Sequence, residues 1–325
     1  MNQQRIFWII AIIIIAVLVF YGIEIAGLKP LSILEATFLA MTPLVLAAVG
    51  ECINEKAGVV NIGLEGILLI TSVLGVYGAE IFGNGWGGLF FGSLIGALIG
   101  LFMGLISVYA RAAQVVAGMG INIFALGFVP FLLRAIWAFP GIHLFPRELM
   151  VQPFSTPIGR INPVTLIAIA SAILGSLLLH RTVLGFRIKA CGERPEAADV
   201  AGIRVDLIRV FTATLGGALC GLGGAFMPLG WFGGVVKEIS AGRGFIALAC
   251  VVFAGLEPLL ALAAAFIFGF AEGFAYAVAI TPGVKEVIPF YFVHMIPYVT
   301  TLLVVSVAIG QRRFPAASGL PYSRE

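Results

Sequence analysis

Residues 50–69 read GECINEKAGVVNIGLEGILL, and they set Glu51, Asn54, Glu55, Asn61 and Glu65 among apolar neighbours. Carboxylates and amides in such a setting face either protein or a water-filled path. Gly58, Gly63 and Gly66 suit a discontinuous helix whose free backbone groups line a cavity. The competing reading is an ordinary polar turn between two helices. A further acid, Glu272, stands near the middle of the apolar run 258–280. A charge at membrane depth costs about 2.5–3.5 kcal/mol on insertion scales, so full lipid exposure is excluded. Glu272 then lies on a solute path or at a subunit contact, or it pairs with a polar group of another helix. Asn122 offers a similar choice between a ligand and an interhelical bond. Arg134, near the end of its run, can snorkel to the surface.

Other chemistry is missing from the sequence. There is no Gly-x-x-x-x-Gly-Lys-Ser/Thr segment, and none of Lys29, Lys56, Lys189, Lys237 and Lys285 follows a glycine. No phosphate-cradling loop is therefore expected. No Gly-x-Ser-x-Gly elbow occurs. Cys52, Cys191, Cys220 and Cys250 form no CxxC pair, and His143, His180 and His294 form no HExxH motif. No catalytic residue, metal site or cofactor is expected in this chain. Any driven work must draw its energy from a partner or from an ion gradient.

The elements that position these residues follow from composition. The 325 residues are 61% hydrophobic and 11% charged, with a mean hydropathy of +1.10. A soluble domain carries about 25% charge, so too few charges remain to cover a water-soluble fold. The expected class is an all-α polytopic membrane protein, a single transmembrane domain over residues 1–325. Spans of about 20 apolar residues fit 6–23, 31–49, 62–79, 87–109, 115–137, 163–179, 210–230, 244–255, 258–280 and 290–309. That gives about ten transmembrane helices, or eight with re-entrant segments, since 244–255 is short for a crossing. The first run has no small-residue cleavage site after it and reads as a retained anchor.

Lys and Arg orient the chain. The loop 180–209 holds Arg181, Arg187, Lys189, Arg194, Arg204 and Arg209. With it in the cytoplasm, both termini also lie inside, and twelve basic residues fall inside against six outside, Lys29, Arg147, Arg160, Lys237, Arg243 and Lys285. The net charge of +3 is then a property of cytoplasmic loops, and no nucleic-acid face is expected. Loop 138–162 is external. Within 180–209, Pro195 suits the first position of a helix, Glu196 its positive N-terminal end and Gly202 its termination. A short helix over 195–201 is expected, presenting Glu196 and Asp199 on its polar side, with Ala197 and Ala198 small enough for a close partner.

The pattern in 50–69, GE-x-I-x-E-x-x-G-V-x-N-x-G-x-E-G, resembles that of the nucleoside-type permeases in the branched-chain amino acid and simple-sugar class of bacterial ABC importers. ACGERPEAADVAGIR, residues 190–204, resembles the cytoplasmic loop of that class, and the glycine-rich stretch 216–230 with 231–244 resembles one of its spans and the loop after it. The likeness runs from about residue 31 to 309. Cys52 and Lys56 depart from the usual pattern, and the tail after Arg313 has no counterpart in it.

The resemblance implies a type II ABC importer permease in the bacterial cytoplasmic (inner) membrane. It also implies two ATP-binding cassette subunits, a second and non-identical permease subunit, and an external substrate-binding protein. Its substrate would be a nucleoside, with riboflavin, a purine base or a simple sugar as alternatives. A secondary transporter driven by an ion gradient through Glu65 and Glu272 is the competing mechanism. On the leading reading, Asn61, Glu65, Asn122, Trp231, Phe232 and Glu272 are the candidate translocation-path residues. The rings of Trp231 and Phe232 could stack a nucleobase, or belong to an interfacial aromatic belt. Loop 180–209 becomes the ATPase coupling loop, with Glu193, Pro195, Glu196, Ala197, Ala198, Asp199 and Gly202 as its candidate contacts.

Overall fold

The computed structural model describes residues 30–139, 141–157, 159–280, 295 and 314–322. The expected span 6–23, and all of 290–309 but residue 295, lie outside the described residues. Helix α1 (Pro30–Lys56) is followed by α2 (Leu64–Phe82), α3 (Gly85–Val108), α4 (Gln114–Trp137) and α5 (Pro163–Arg181). Two short helices come next, α6 (Val183–Glu193) and α7 (Pro195–Val200). Helix α8 (Val205–Phe226) runs on as one turn of π-helix, Met227–Phe232, and α9 (Arg243–Ala254) and α10 (Pro258–Ile280) follow.

Among the described residues, seven helices are long and apolar enough to cross a membrane. They correspond to seven of the ten expected spans. The expected span 244–255 is corrected: α9 has 12 residues, a length of about 18 Å against the ~30 Å of a bilayer core. The all-α expectation needs a small amendment as well. Strand β1 (Ile142–Leu144) pairs antiparallel with β4 (Gly234–Val236), and β2 (Phe154–Thr156) with β3 (Gly159–Ile161). These ladders satisfy backbone groups in the two long loops at one end of the bundle.

Helix α1 forms the centre. Its residues 44–49 have no exposed surface, and α5, α8, α9 and α10 pack around it. Helices α3, α4 and α5 are outer elements, with exposed Phe90, Leu98, Phe102, Phe124 and Leu174 facing away from the core. Helix α3 carries glycine at every fourth position from Gly88 to Gly104 and lays this stripe on α8. A Cβ at Gly96 would sit 2.3 Å from the Gly217 carbonyl oxygen, and one at Gly100 2.3 Å from that of Ala213. Small residues let the two backbones touch, which is how helices associate where no hydrophobic drive separates protein from lipid.

Candidate functional site

Helix α1 ends at Lys56, and α2 begins only at Leu64. The depth of that restart can be measured along α8. Arg209 donates to the Ala57 carbonyl, and the Cys220 thiol lies 3.5 Å from the Leu64 carbonyl. Those two positions on α8 are about 16 Å apart at 1.5 Å per residue. The non-helical segment 57–63 therefore descends about half the thickness of a bilayer core before α2 begins. The connection between the two helices is thus not helical and is buried for much of its length.

Backbone groups freed by the break are met by side chains. Gln114 Oε1 accepts from Val60 N–H at 2.7 Å, and Glu51 Oε1 from Asn61 N–H at 2.7 Å. Asn61 Oδ1 accepts from Gly63 N–H at 2.9 Å. Asn122 Oδ1 accepts from Gly66 N–H at 2.8 Å, while its Nδ2 donates to the Ile62 carbonyl at 3.0 Å. Asn61 and Asn122 thus have backbone partners within the break, and any ligand would compete with these bonds. Glu51 and Gln114 belong to the same set. Their signal in the sequence was polarity in an apolar run, which does not identify the partner.

The N-terminus of α2 meets that of α9. Glu65, in the first turn of α2, accepts from Ser240 Oγ and from Gly242 N–H at 2.8 Å through Oε1, and from Gly244 N–H at 2.7 Å through Oε2. A carboxylate is favoured at a helix N-terminus, where unpaired N–H groups and the helix dipole both present positive charge. Here one carboxylate serves two such termini. The approach is close: a Cβ at Gly244 would lie 2.3 Å from Glu65 N. The turn into α9 bends through Ala241 at φ 46° and Gly242 at φ 82°.

Arg243, the first residue of α9, is 7% exposed. Its Nη1 donates to the carbonyls of Ile239 and Ser240, each at 3.1 Å, and its Nη2 pairs with Glu272 of α10. The guanidinium carbon lies 4.7 Å from the Trp231 ring centroid and 5.4 Å from that of Phe232. Those two rings stack on each other at 4.3 Å at the end of the π-helical turn. Glu65, Trp231, Phe232 and Glu272 are therefore brought together, with Arg243 as the hub that sequence reasoning missed. In the sequence tally Arg243 reads as one of the six external basic residues. The short run 244–255 was the available signal, since a helix too short to cross must begin inside the bundle.

At the other end of the bundle, α9 closes on a cluster in which Glu257 pairs with Lys56 at 3.4 Å and with His180 at 3.3 Å. Helix α7 lies at this end. It has Pro195 at its first position and stops before Gly202 at φ 81°, as its composition predicts. Its faces correct one expectation. Ala198 is buried with Cys191 and Val205, so it points into the helix bundle rather than toward a partner. Pro195 is buried beside it, because the helical repeat places positions three apart on one face. Glu193, Glu196, Ala197 and Gly202 are exposed, and Asp199 accepts from the Tyr322 hydroxyl at 3.1 Å. Val200, which the sequence reading passed over, is 91% exposed. Burial pushes the Cys191 thiol up to about 11, with the Arg209 charge pulling the other way, so this cysteine is a poor nucleophile at neutral pH.

The model of the branched-chain amino acid transport system permease component matches residues 33–305. The guanosine ABC transporter permease protein NupQ of Bacillus subtilis is 33% identical over 310 residues, which cover 89% of this chain and 96% of that protein. The nucleoside ABC transporter permease protein NupC of Lactococcus lactis is 33% identical over 90% of this chain and 97% of its own. The putative glucose ABC transporter permease protein TsgC13 of Haloferax volcanii is 30% identical, over 90% and 98% respectively. No solved structure matches the chain.

Proposed function

The chain belongs to the family of branched-chain amino acid transport system permease components, and from that premise we propose that it is the nucleoside-conducting permease subunit of an ATP-driven importer. The observation that carries the reading is the meeting of two broken helices at mid-depth, with Glu65 between their N-termini and Arg243, Glu272, Trp231 and Phe232 beside it. Interrupted helices whose N-terminal ends converge near the bilayer midplane are how many transporters hold polar solutes. A nucleoside suits the chemistry: its base can lie on an aromatic face, and its sugar hydroxyls can bond to the charged pair. Phe232 keeps 46% of its surface exposed.

The end bearing α6, α7 and residues 314–322 is assigned to the cytoplasm. In the sequence tally that side held twelve basic residues against six. Arg209 and Arg243 are buried, and removing one from each set leaves eleven against five, which sharpens the bias. Helix α7 then faces a separate ATP-hydrolysing subunit, and the β-ladder end faces an external binding protein. The second permease subunit of the complex is a non-identical chain, as the family likeness implies.

A sugar is the second reading of the substrate, supported by the 30% identity to the putative glucose permease. The test is uptake of radiolabelled guanosine, glucose or riboflavin into proteoliposomes holding both permeases, the ATPase subunits and the binding protein. ATP-dependent guanosine uptake supports the proposal. Preference for glucose would replace the substrate class, and uptake without the ATPase subunits would replace the mechanism.

A further inference from the structure

Arg209, at the start of α8, is 1% exposed. Its guanidinium donates to three carbonyls from three separate stretches of chain. Nε reaches Ala57 at 3.1 Å in the broken segment, Nη1 reaches Leu320 at 2.9 Å in the C-terminal segment, and Nη2 reaches Cys191 at 3.4 Å in α6. We infer that Arg209 and the C-terminal segment 314–322 form a strap that transmits movement between α7 and the broken segment 57–63.

The segment reaches both ends of that link. Gly319 N–H donates to the Gly58 carbonyl at 3.1 Å, and Ser318 Oγ donates to Glu55 Oε1 at 3.2 Å, so the segment is fastened to the start of the break. Ala317 N–H donates to the Gly192 carbonyl at 2.9 Å, and the Tyr322 hydroxyl donates to Asp199, so it is also fastened to α6 and α7. Tyr322 packs on the cluster of Cys191, Ala198 and Val205 beneath α7. The fit allows little slack. A Cβ at Gly58 would lie 2.7 Å from Arg209 Nη2, and one at Gly192 would lie 2.3 Å from the Lys56 carbonyl oxygen.

A guanidinium is suited to this post because it presents five donors in a rigid plane. Lysine would keep the charge, but its point-like ammonium on a flexible stem cannot hold three carbonyls in one plane. Arg209 is thus a positioning residue. Displacing α7 would pull Ala57 and Gly58 through it, and those residues lead directly to Glu65. Coupling between two places needs a physically connected element that both can bias, and the strap is one. The inference rests on the importer reading only for the source of the movement at α7.

Three variants test it in the whole complex: a stop codon after Arg313, Arg209→Lys and Tyr322→Phe. The first readout is hydrogen–deuterium exchange of segments 57–63 and 195–202, which does not depend on transport. The stop variant is expected to speed exchange in both segments together by about tenfold. Acceleration confined to one of them, or none, would overturn the link. The second readout is guanosine imported per ATP hydrolysed in proteoliposomes. The stop variant and Arg209→Lys are expected to lower that ratio by about tenfold, and Tyr322→Phe by about threefold, with hydrolysis continuing. A purely structural role would lower uptake and hydrolysis in proportion to assembled complex, and that result, or an unchanged ratio, would overturn the inference. Should Arg209→Lys fail to assemble, the other two variants decide. A parent complex that exchanges as described but imports no guanosine would count against the proposed substrate and leave the strap standing.

Discussion

Two buried charges hold the broken segment 57–63, one at each end, and they are opposites. Beyond its inner end, Glu65 accepts hydrogen bonds from the Gly242 and Gly244 amides and the Ser240 hydroxyl. At its outer end, Arg209 donates to the carbonyls of Ala57, Cys191 and Leu320. The difference follows from what each place leaves unpaired. Converging helix N-termini present N–H groups, so the residue that satisfies them must be an acceptor. Segments that end or pass at the base present carbonyls, so the residue there must be a donor. The chain between them is not a loose loop. It is irregular backbone suspended between an acid and a base, and its own amides are met by Glu51, Gln114 and Asn61. Such backbone is tolerated at membrane depth only where it is enclosed in protein or lines a cavity.

The comparison breaks most severely at Glu65. Glu65→Leu would leave the Gly242 and Gly244 amides and the Ser240 hydroxyl without this partner, and each buried one costs about 1–3 kcal/mol. Guanosine uptake should vanish, and the thermal midpoint of the purified complex should fall by several degrees. Glu65→Gln keeps one acceptor oxygen and should keep part of both. Equal effects from the two variants would mean that hydrogen-bond acceptance is not what Glu65 supplies. Gly244→Ala comes next. The added methyl would drive the two helix ends apart, and forced overpacking costs about 1–3 kcal/mol. A melting comparison should place this variant between parent and Glu65→Leu, with uptake lost because the termini no longer meet.

The Arg243–Glu272 pair should matter more for transport than for the fold. Glu272→Gln retains an acceptor for Arg243 at reduced strength, since a charge-assisted bond is roughly twice as strong as a neutral one. Uptake should fall about tenfold with assembly intact. In a double-mutant cycle with Arg243→Gln the losses should be strongly non-additive, because the two residues touch. Additive losses would mean that Glu272 acts on the path independently of Arg243.

How much of this was legible depended on whether the signal was local. Seven spans were readable because an apolar run of about 20 residues announces itself. The short helix at Pro195 was readable from its proline, its acid and its terminal glycine. The break after Lys56 could be suspected from Asn54, Asn61, Gly58 and Gly63, but its depth could not, since depth is set by what α8 packs beside it. Glu65 and Glu272 stood out as acids in apolar runs. Their partners did not: Arg243 and Arg209 each sit at a boundary where a basic residue reads as a loop charge. The burial of Ala198 was equally hidden, because a six-residue helix has too few positions to fix its inward face from sequence. The tail after Arg313 matched no family pattern, and it takes its place from contacts with Glu55, Gly58, Gly192, Asp199 and Arg209.

The smallest expected effect lies at Val200, where the base of the molecule meets its surroundings. A nearly bare valine on α7 gains nothing for the isolated permease. Replacing it should therefore leave the permease's own melting temperature unchanged, as surface changes away from special features do. If α7 seats in a groove of the ATPase subunit, Val200 loses water there, and a fully buried valine is worth about 1.5 kcal/mol or more. Val200→Ser should then weaken retention of the ATPase subunit by about tenfold in a pull-down titration, with import falling in step. Ala198→Trp provides the contrast, because that side chain points inward onto Cys191 and Val205. It should lower the melting temperature of the permease itself, before any partner is added. If Val200→Ser retains the ATPase subunit like the parent, α7 is not the docking element; if it lowers the melting temperature of the permease alone, its effect on import is structural and the base has been read from the wrong side.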